Sequence, residues 1–271
     1  QFRKIIMKFK NIILYWRTIL RVAEITLRHQ WNDSFILFAI LIQPMIIAVL
    51  ALFMLRGTGE NYAMFVVVGS GLTGLWSSLL FISGNSINGE RWQGTLESLV
   101  AAPIPFEVII FGKNLANVIQ SLLSMTFSYM LAALFFGYTL HMTAPLLFIT
   151  SVLLSIFAFI SFGLIIAPLF IMYRGIQQWQ NAMEFPVYIL AGFLFPIALL
   201  PNWTTPVSYI LPPYWAARAL HETSTGAADL QKIALAWGMM TVFSIVDLFI
   251  ASKLFKKMLY KARVDASLET E

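Results

Sequence analysis

Six long apolar runs, a shortage of ionic residues and a lopsided placement of the cations predict an all-α membrane protein. Of 271 residues, 59% are hydrophobic and 11% charged, and mean hydropathy is +0.78. Soluble domains carry about 25% charged residues. So few ionic groups cannot cover a water-facing surface of this size, which excludes a soluble globular protein. With no cysteine, disulfides and thiolate metal sites are ruled out, and His29, His141 and His221 lie too far apart for ligand spacing.

A spanning helix needs about 20 apolar residues. The runs that meet this are Ser34–Leu55, Tyr62–Gly84, Asn117–Tyr138, Pro145–Tyr173, Phe185–Leu200 and Ile233–Phe255. Six spans put both termini on one side, together with the second-to-third and fourth-to-fifth connections. Fifteen of the 18 Lys and Arg residues fall there, leaving Arg56, Arg218 and Lys232 opposite. The positive-inside rule makes that basic side cytoplasmic, in a multi-pass protein of the plasma or inner cell membrane. The +5 net charge is accounted for in this way, with no nucleic-acid partner.

Ahead of the first run, Ile5, Phe9, Ile12, Ile13, Trp16, Ile19, Leu20, Ala23 and Leu27 recur at helical steps. Lys4, Lys8, Arg17, Arg21 and Arg28 fall largely off that stripe. Residues 1–33 are therefore expected to form a cytoplasmic amphipathic helix in contact with lipid headgroups. The long basic stretch and long apolar run, without a small-residue cleavage site, distinguish it from a cleavable signal. Residues 34–255 make the six-span domain, and 256–271 a basic cytoplasmic tail.

No phosphate-binding loop, HExxH or GxSxG occurs, and the GxGxxG match Gly69-Ser70-Gly71-Leu72-Thr73-Gly74 lies inside an apolar run, where its glycines suit close packing between helices rather than nucleotide contact. The chain is therefore expected not to be an enzyme and to bind no cofactor. The most informative segment is the second-to-third connection, Asn88-Gly89-Glu90-Arg91-Trp92-Gln93-Gly94-Thr95-Leu96-Glu97-Ser98-Leu99-Val100-Ala101-Ala102-Pro103. Leu96, Leu99 and Val100 give a short apolar face ringed by Glu90, Arg91 and Glu97, and Pro103 and Pro105 end the helix. Such a helix suits a cleft on a cytosolic protein; its structural alternative is a helix resting on headgroups.

Glu90-Arg91-x-x-Gly94-Thr95-Leu96-Glu97-x-Leu99, followed by Ala102-Pro103, resembles the signature of ABC-2-type transporter permeases. The resemblance extends over essentially the whole chain, including the outer segment Leu200-Pro201-Asn202-Trp203 through Ile210-Leu211-Pro212-Pro213-Tyr214. It implies a permease that pairs with a second copy or a related permease, as a homo- or heterodimer. It also implies two ABC ATP-binding subunits that hold ATP and magnesium and move the coupling helix, with Glu90, Arg91, Gly94, Thr95, Leu96, Glu97 and Leu99 as coupling residues. One departure is Trp92, where many members carry an acidic residue. Short broken helices before the sixth span are expected from the same resemblance.

Further polar positions are candidates for a translocation path or gate: Gln43, Asn85, Asn117, Trp203, Tyr214 and Asp247. Asp247 falls inside the sixth span, where a carboxylate costs a few kcal/mol unless paired or neutral. For it, as for the amides and for Asn114 and Gln120, the bland account is a hydrogen bond between helices. Glu184, just before the fifth span, is expected to be a solvated interfacial carboxylate. Trp203 and Tyr214 serve equally as interface anchors. The function expected is the membrane subunit of an ATP-driven exporter for an amphipathic, drug-like or lipid-linked molecule. The alternatives are export of a polysaccharide of O-antigen or teichoic-acid type and an ATP-independent secondary transporter.

Overall fold

A computed structural model describes residues 2–38, 42–54, 60–83, 90, 94–136, 144–172, 176–224 and 229–264. Nearly all of these are helical, and no strand occurs among them. Among the described residues, three helices are long and apolar enough to cross a bilayer, at Phe106–Leu131, Pro145–Leu169 and Leu230–Met258, with shorter apolar helices at Gln43–Phe53 and Met64–Leu80.

The first helix, α1 (Phe2–Trp31), carries Arg17, Arg21 and Arg28 on an exposed face, with Glu24 bonded to Arg21 at 2.9 Å and to Arg28 at 2.8 Å. The opposite face, with Ala23 and Gln30 buried, packs on α6 (Phe106–Phe136). The two backbones meet at Gly112, where an added Cβ would lie 2.8 Å from the Ile19 carbonyl oxygen. A side chain at 112 would push α1 off α6.

Between them come α2 (Ser34–Leu37), α3 (Gln43–Met54) and α4 (Glu60–Ser77). The last continues as a wider π turn over Ser78–Ser83. The short α5 (Leu96–Ala101) precedes α6. Then follow α7 (Pro145–Met172) and α8 (Ile176–Leu190), with Pro168 and Pro186 inside them. Proline is tolerated in such helices because neighbouring groups satisfy the freed carbonyls. Next come 3₁₀ turns at Ile197–Leu199 and Asn202–Thr204, then α9 (Thr205–Ile210), α10 (Pro212–Ser224) and α11 (Leu230–Val264).

At 1.5 Å per residue, 28 residues of α7 extend about 42 Å, more than the roughly 30 Å hydrocarbon layer. It packs on α10 and α11 around buried Phe159, while Trp76, Phe193 and Phe255 fill the same core from α4, the turn after α8, and α11. Outward, Leu146, Leu153, Ile245 and Phe249 are exposed, a surface that only an apolar solvent accommodates.

Two element boundaries differ from the sequence expectation. The third apolar helix begins at Phe106, eleven residues before Asn117, because Lys113, Asn114 and Asn117 are packed rather than exposed. The helix expected over Phe185–Leu200 lies at Ile176–Leu190 instead. Gly192 stops it by adopting φ 68°, a left-handed conformation open to glycine, and Pro196 and Pro201 hold the following chain in short turns. Short helical segments at Ile197–Leu199, Asn202–Thr204 and Thr205–Ile210 come before α10 and α11.

Candidate functional site

Polar side chains collect in three places. The first lies where the chain enters α5 and α6. Thr95 closes a turn on Glu90, its amide donating to the Glu90 carbonyl at 2.9 Å and its hydroxyl reaching the Glu90 carboxylate. Gly94, at φ 67°, makes that turn possible, and nothing surrounds its Cα to require glycine for space. Thr95 is the residue before α5, yet its hydroxyl makes no capping bond because Glu90 takes it. From α6 the Lys113 ammonium donates to Glu90 Oε1 at 2.6 Å. Burial alone would raise the Glu90 pKa. The bonds from Lys113 and Thr95, with the Lys113 charge and a smaller effect of His29, outweigh it and hold the carboxyl below its ordinary 4.5.

This arrangement joins Glu90, Gly94 and Thr95 of the expected coupling segment in one turn. Leu99 is half-buried and packs against the chain's own core, while Ser98 and Ala101 are exposed. Leu96 and Glu97 lie in α5, but their side chains, like the whole of Arg91 and Asn85, are outside the described residues. Lys113 was missed as a site residue. The pair is 23 positions apart, beyond what helical periodicity relates.

The second cluster is buried between α4 and α8. Glu184 is 5% exposed, so it is not the solvated carboxylate expected. Glu184 Oε1 accepts from the Ser77 hydroxyl at 2.8 Å and from the Tyr188 hydroxyl at 2.7 Å, and these two hydroxyls also touch. Placing the helix start at Ile176 puts Glu184 and Tyr188 one turn apart on a single face; a span starting at Phe185 hides that relation. Elsewhere, Gln30 Nε2 of α1 donates to Asn117 Oδ1 of α6 at 2.7 Å, the interhelical role weighed for Asn117. Gln43 sits half-buried at the start of α3. Asp247 is buried on α11, and its Oδ2 has no hydrogen-bond partner among the described residues.

The third region lies at the opposite end of the bundle. Tyr209, Tyr214 and Trp215 form an aromatic cluster with ring centroids 5.0–5.7 Å apart, and Trp215 Nε1 donates to the Tyr209 carbonyl at 2.9 Å. Trp203 is 73% exposed and stands outside the cluster, whereas Tyr214 is buried. The candidates Trp203 and Tyr214 therefore occupy different environments. Behind Tyr214 a cavity of ≈ 440 Å³ reaches Arg218, His221, Glu222 and Lys232.

Long apolar helices, an amphipathic helix packed on one of them and a short polar turn braced against the same helix define a helical protein of membrane type. The sequence pattern of the ABC-2 type transporter family matches residues 14–223, and the chain belongs to that family. It is similar to ABC transporter G family member 20 of Dictyostelium discoideum, 26% identical over 173 residues. That match takes in 61% of this chain but only 24% of the relative, so the chain spans about a quarter of that protein's length. It is also similar to Nodulation protein J of Rhizobium leguminosarum bv. viciae, 22% identical over 210 residues, which covers 76% of this chain and 79% of the relative.

Proposed function

We propose that this chain is the permease subunit of an ATP-driven exporter, crossing the cell membrane six times with both termini in the cytoplasm. ATP and magnesium are held by two partner ATP-binding subunits, and a second copy or related permease completes the path. The substrate is an amphipathic, drug-like or lipid-linked molecule moved out of the cytoplasm.

The observation that carries this reading is the Glu90–Lys113 pair, which fastens the turn ahead of α5 to the first turns of a spanning helix. A push on α5 then passes to α6 through a charged contact, and on to α1 through Gln30–Asn117 and the close approach at Gly112. Exposed Ser98 and Ala101 leave one side of α5 open for a partner, while Leu99 anchors it to its own core. A purely lipid-resting helix has no need of a partly buried ionic brace, whose formation strips part of the water from two charges.

Co-purification with an ATP-binding subunit, followed by mass spectrometry of bound lipids and small molecules, tests the reading. A stable complex whose ATP hydrolysis rises on adding a retained amphiphile supports it. A chain that transports in vesicles free of any ATPase contradicts it.

A further inference from the structure

We infer that the cavity behind the outer aromatic cluster is a binding site for one anionic amphiphile, its phosphate group on Arg218 and its apolar tail along Phe65 and Ile197. This goes beyond the exporter reading, because the site lies within one chain and needs neither ATP nor a partner.

The cavity, of ≈ 440 Å³, falls within the range of small-molecule sites. Its walls come from α4, the turn after α8, α10 and the start of α11. The cationic groups in it are differently engaged. Lys232 lies 3.4 Å from Asp229 and 4.0 Å from Glu222, so two carboxylates already answer its charge. Arg218 is half-buried, and its described contacts are uncharged: it donates to the Tyr214 hydroxyl at 3.2 Å and stands 5.8 Å from the Trp215 ring centre.

A guanidinium held by a phenol and an indole keeps most of its five donors unspent in a place partly shielded from water. An oxyanion is the ligand that satisfies both its charge and its fork of N–H groups. Glu222, facing Lys232 in the same cavity, disfavours a second negative group and limits the ligand to one.

The apolar half of the site is equally definite. Phe65 stacks flat on the buried His221 ring, with centroids 3.5 Å apart and planes 3° from parallel. His221 Nε2 is fixed at 3.0 Å from the Phe193 carbonyl oxygen, which makes this pair a rigid floor. Ile197, Pro196 and Ala198 border the floor, and Pro196 and Ala198 are exposed, so a chain enters from the surface there. An inorganic anion would leave this floor unused; a neutral lipid would leave Arg218 unanswered.

The test is native mass spectrometry of the full chain, released from detergent after equilibration with equal amounts of phosphatidylglycerol and diacylglycerol, which has the same tails and no phosphate. A parallel sample receives inorganic phosphate alone. The expected result is one phosphatidylglycerol retained in clear preference to diacylglycerol, with no adduct from phosphate. Arg218→Gln should lower that one-lipid preference about tenfold, the scale of a single charge-assisted contact. Arg218→Lys should retain part of it. Ala198→Trp fills the cavity without touching a charge and should abolish the same adduct, which guards against misfolding of the arginine variant. Loss in both Arg218→Gln and Ala198→Trp supports the site. An unchanged preference in either variant overturns it, because the lipid is then bound elsewhere, as does an equally strong adduct from inorganic phosphate.

Discussion

The Lys113 ammonium on α6 lies 2.6 Å from Glu90 Oε1, with only 11% of the lysine and 23% of the glutamate side chain exposed. Because Thr95 holds the same carboxylate, the turn that leads into α5 and the helix that follows it share one polar knot. Such a pair is worth more than an exposed ion pair and is costly to break from one side.

A double-mutant cycle of Glu90→Gln and Lys113→Met should give a coupling energy of about 1–3 kcal/mol in detergent unfolding, between the values for exposed and fully buried pairs. The pH dependence has a definite sign. The Glu90 pKa is depressed in the fold, so its contribution is complete above the ordinary carboxyl value of 4.5. It is lost as pH falls from there through the lower folded value. Glu90→Gln should flatten that acid limb and leave stability near neutral pH without slope from this group.

Two glycines should respond oppositely to alanine. A Cβ on Gly69 would lie 2.0 Å from the Phe193 carbonyl oxygen, a backbone atom that cannot swing aside. Gly69→Ala should therefore destabilise by about 1–3 kcal/mol. Gly238 is exposed on α11 with nothing within 4 Å, so Gly238→Ala should be neutral or stabilising by up to about 1 kcal/mol. Melting temperatures of the two variants in one detergent decide the matter.

The spans that read directly from hydropathy are those whose apolar run coincides with their packing. Pro145–Met172 is the plainest, opened by a proline at its first position and apolar on every side. The helix at Ile176–Leu190 was displaced because Gln177, Gln178, Gln180 and Asn181 read as a connection, although glutamine is a good helix former. Hydropathy also ran on past Gly192, where the left-handed turn ends the helix without any polar residue to announce it. At the site, the Glu90–Leu99 segment stood out as a contiguous motif, but it was read as one helix; the turn that Gly94 makes between Glu90 and Thr95, which delays the helix to Leu96, was not foreseen. Lys113, and the Ser77–Glu184 contact across 107 positions, depend on which helices pack together, which no local pattern records.

The buried Glu184 cluster should tolerate an amide better than a hydrocarbon. Glu184→Gln keeps an acceptor for the Ser77 and Tyr188 hydroxyls, whereas Glu184→Leu leaves them only each other and the more distant Thr73 carbonyl. A buried hydroxyl deprived of its acceptor costs about 1–3 kcal/mol. Thermal unfolding should rank wild type above Glu184→Gln and Glu184→Gln well above Glu184→Leu.

The proposed topology rests on the charge asymmetry of the sequence. Reporters fused after Ala262 should behave as cytosolic, and reporters inserted between Asn202 and Ser224 as external. The opposite labelling would reverse the orientation proposed for the whole chain.

Site-directed cross-linking from α5 tests the coupling claim most directly. The sequence has no cysteine, so Ser98→Cys creates its single thiol, on an exposed position of α5. Gly238→Cys, exposed on the apolar length of α11, is the control. With an ATP-binding subunit co-expressed in membranes, a thiol-anchored photo-cross-linker at 98 should yield a covalent adduct to that subunit, in an amount that changes on adding ATP, while the linker at 238 yields none. If position 98 captures only lipid while the two proteins still form a complex, α5 rests on the membrane and does not couple the chain to its ATPase.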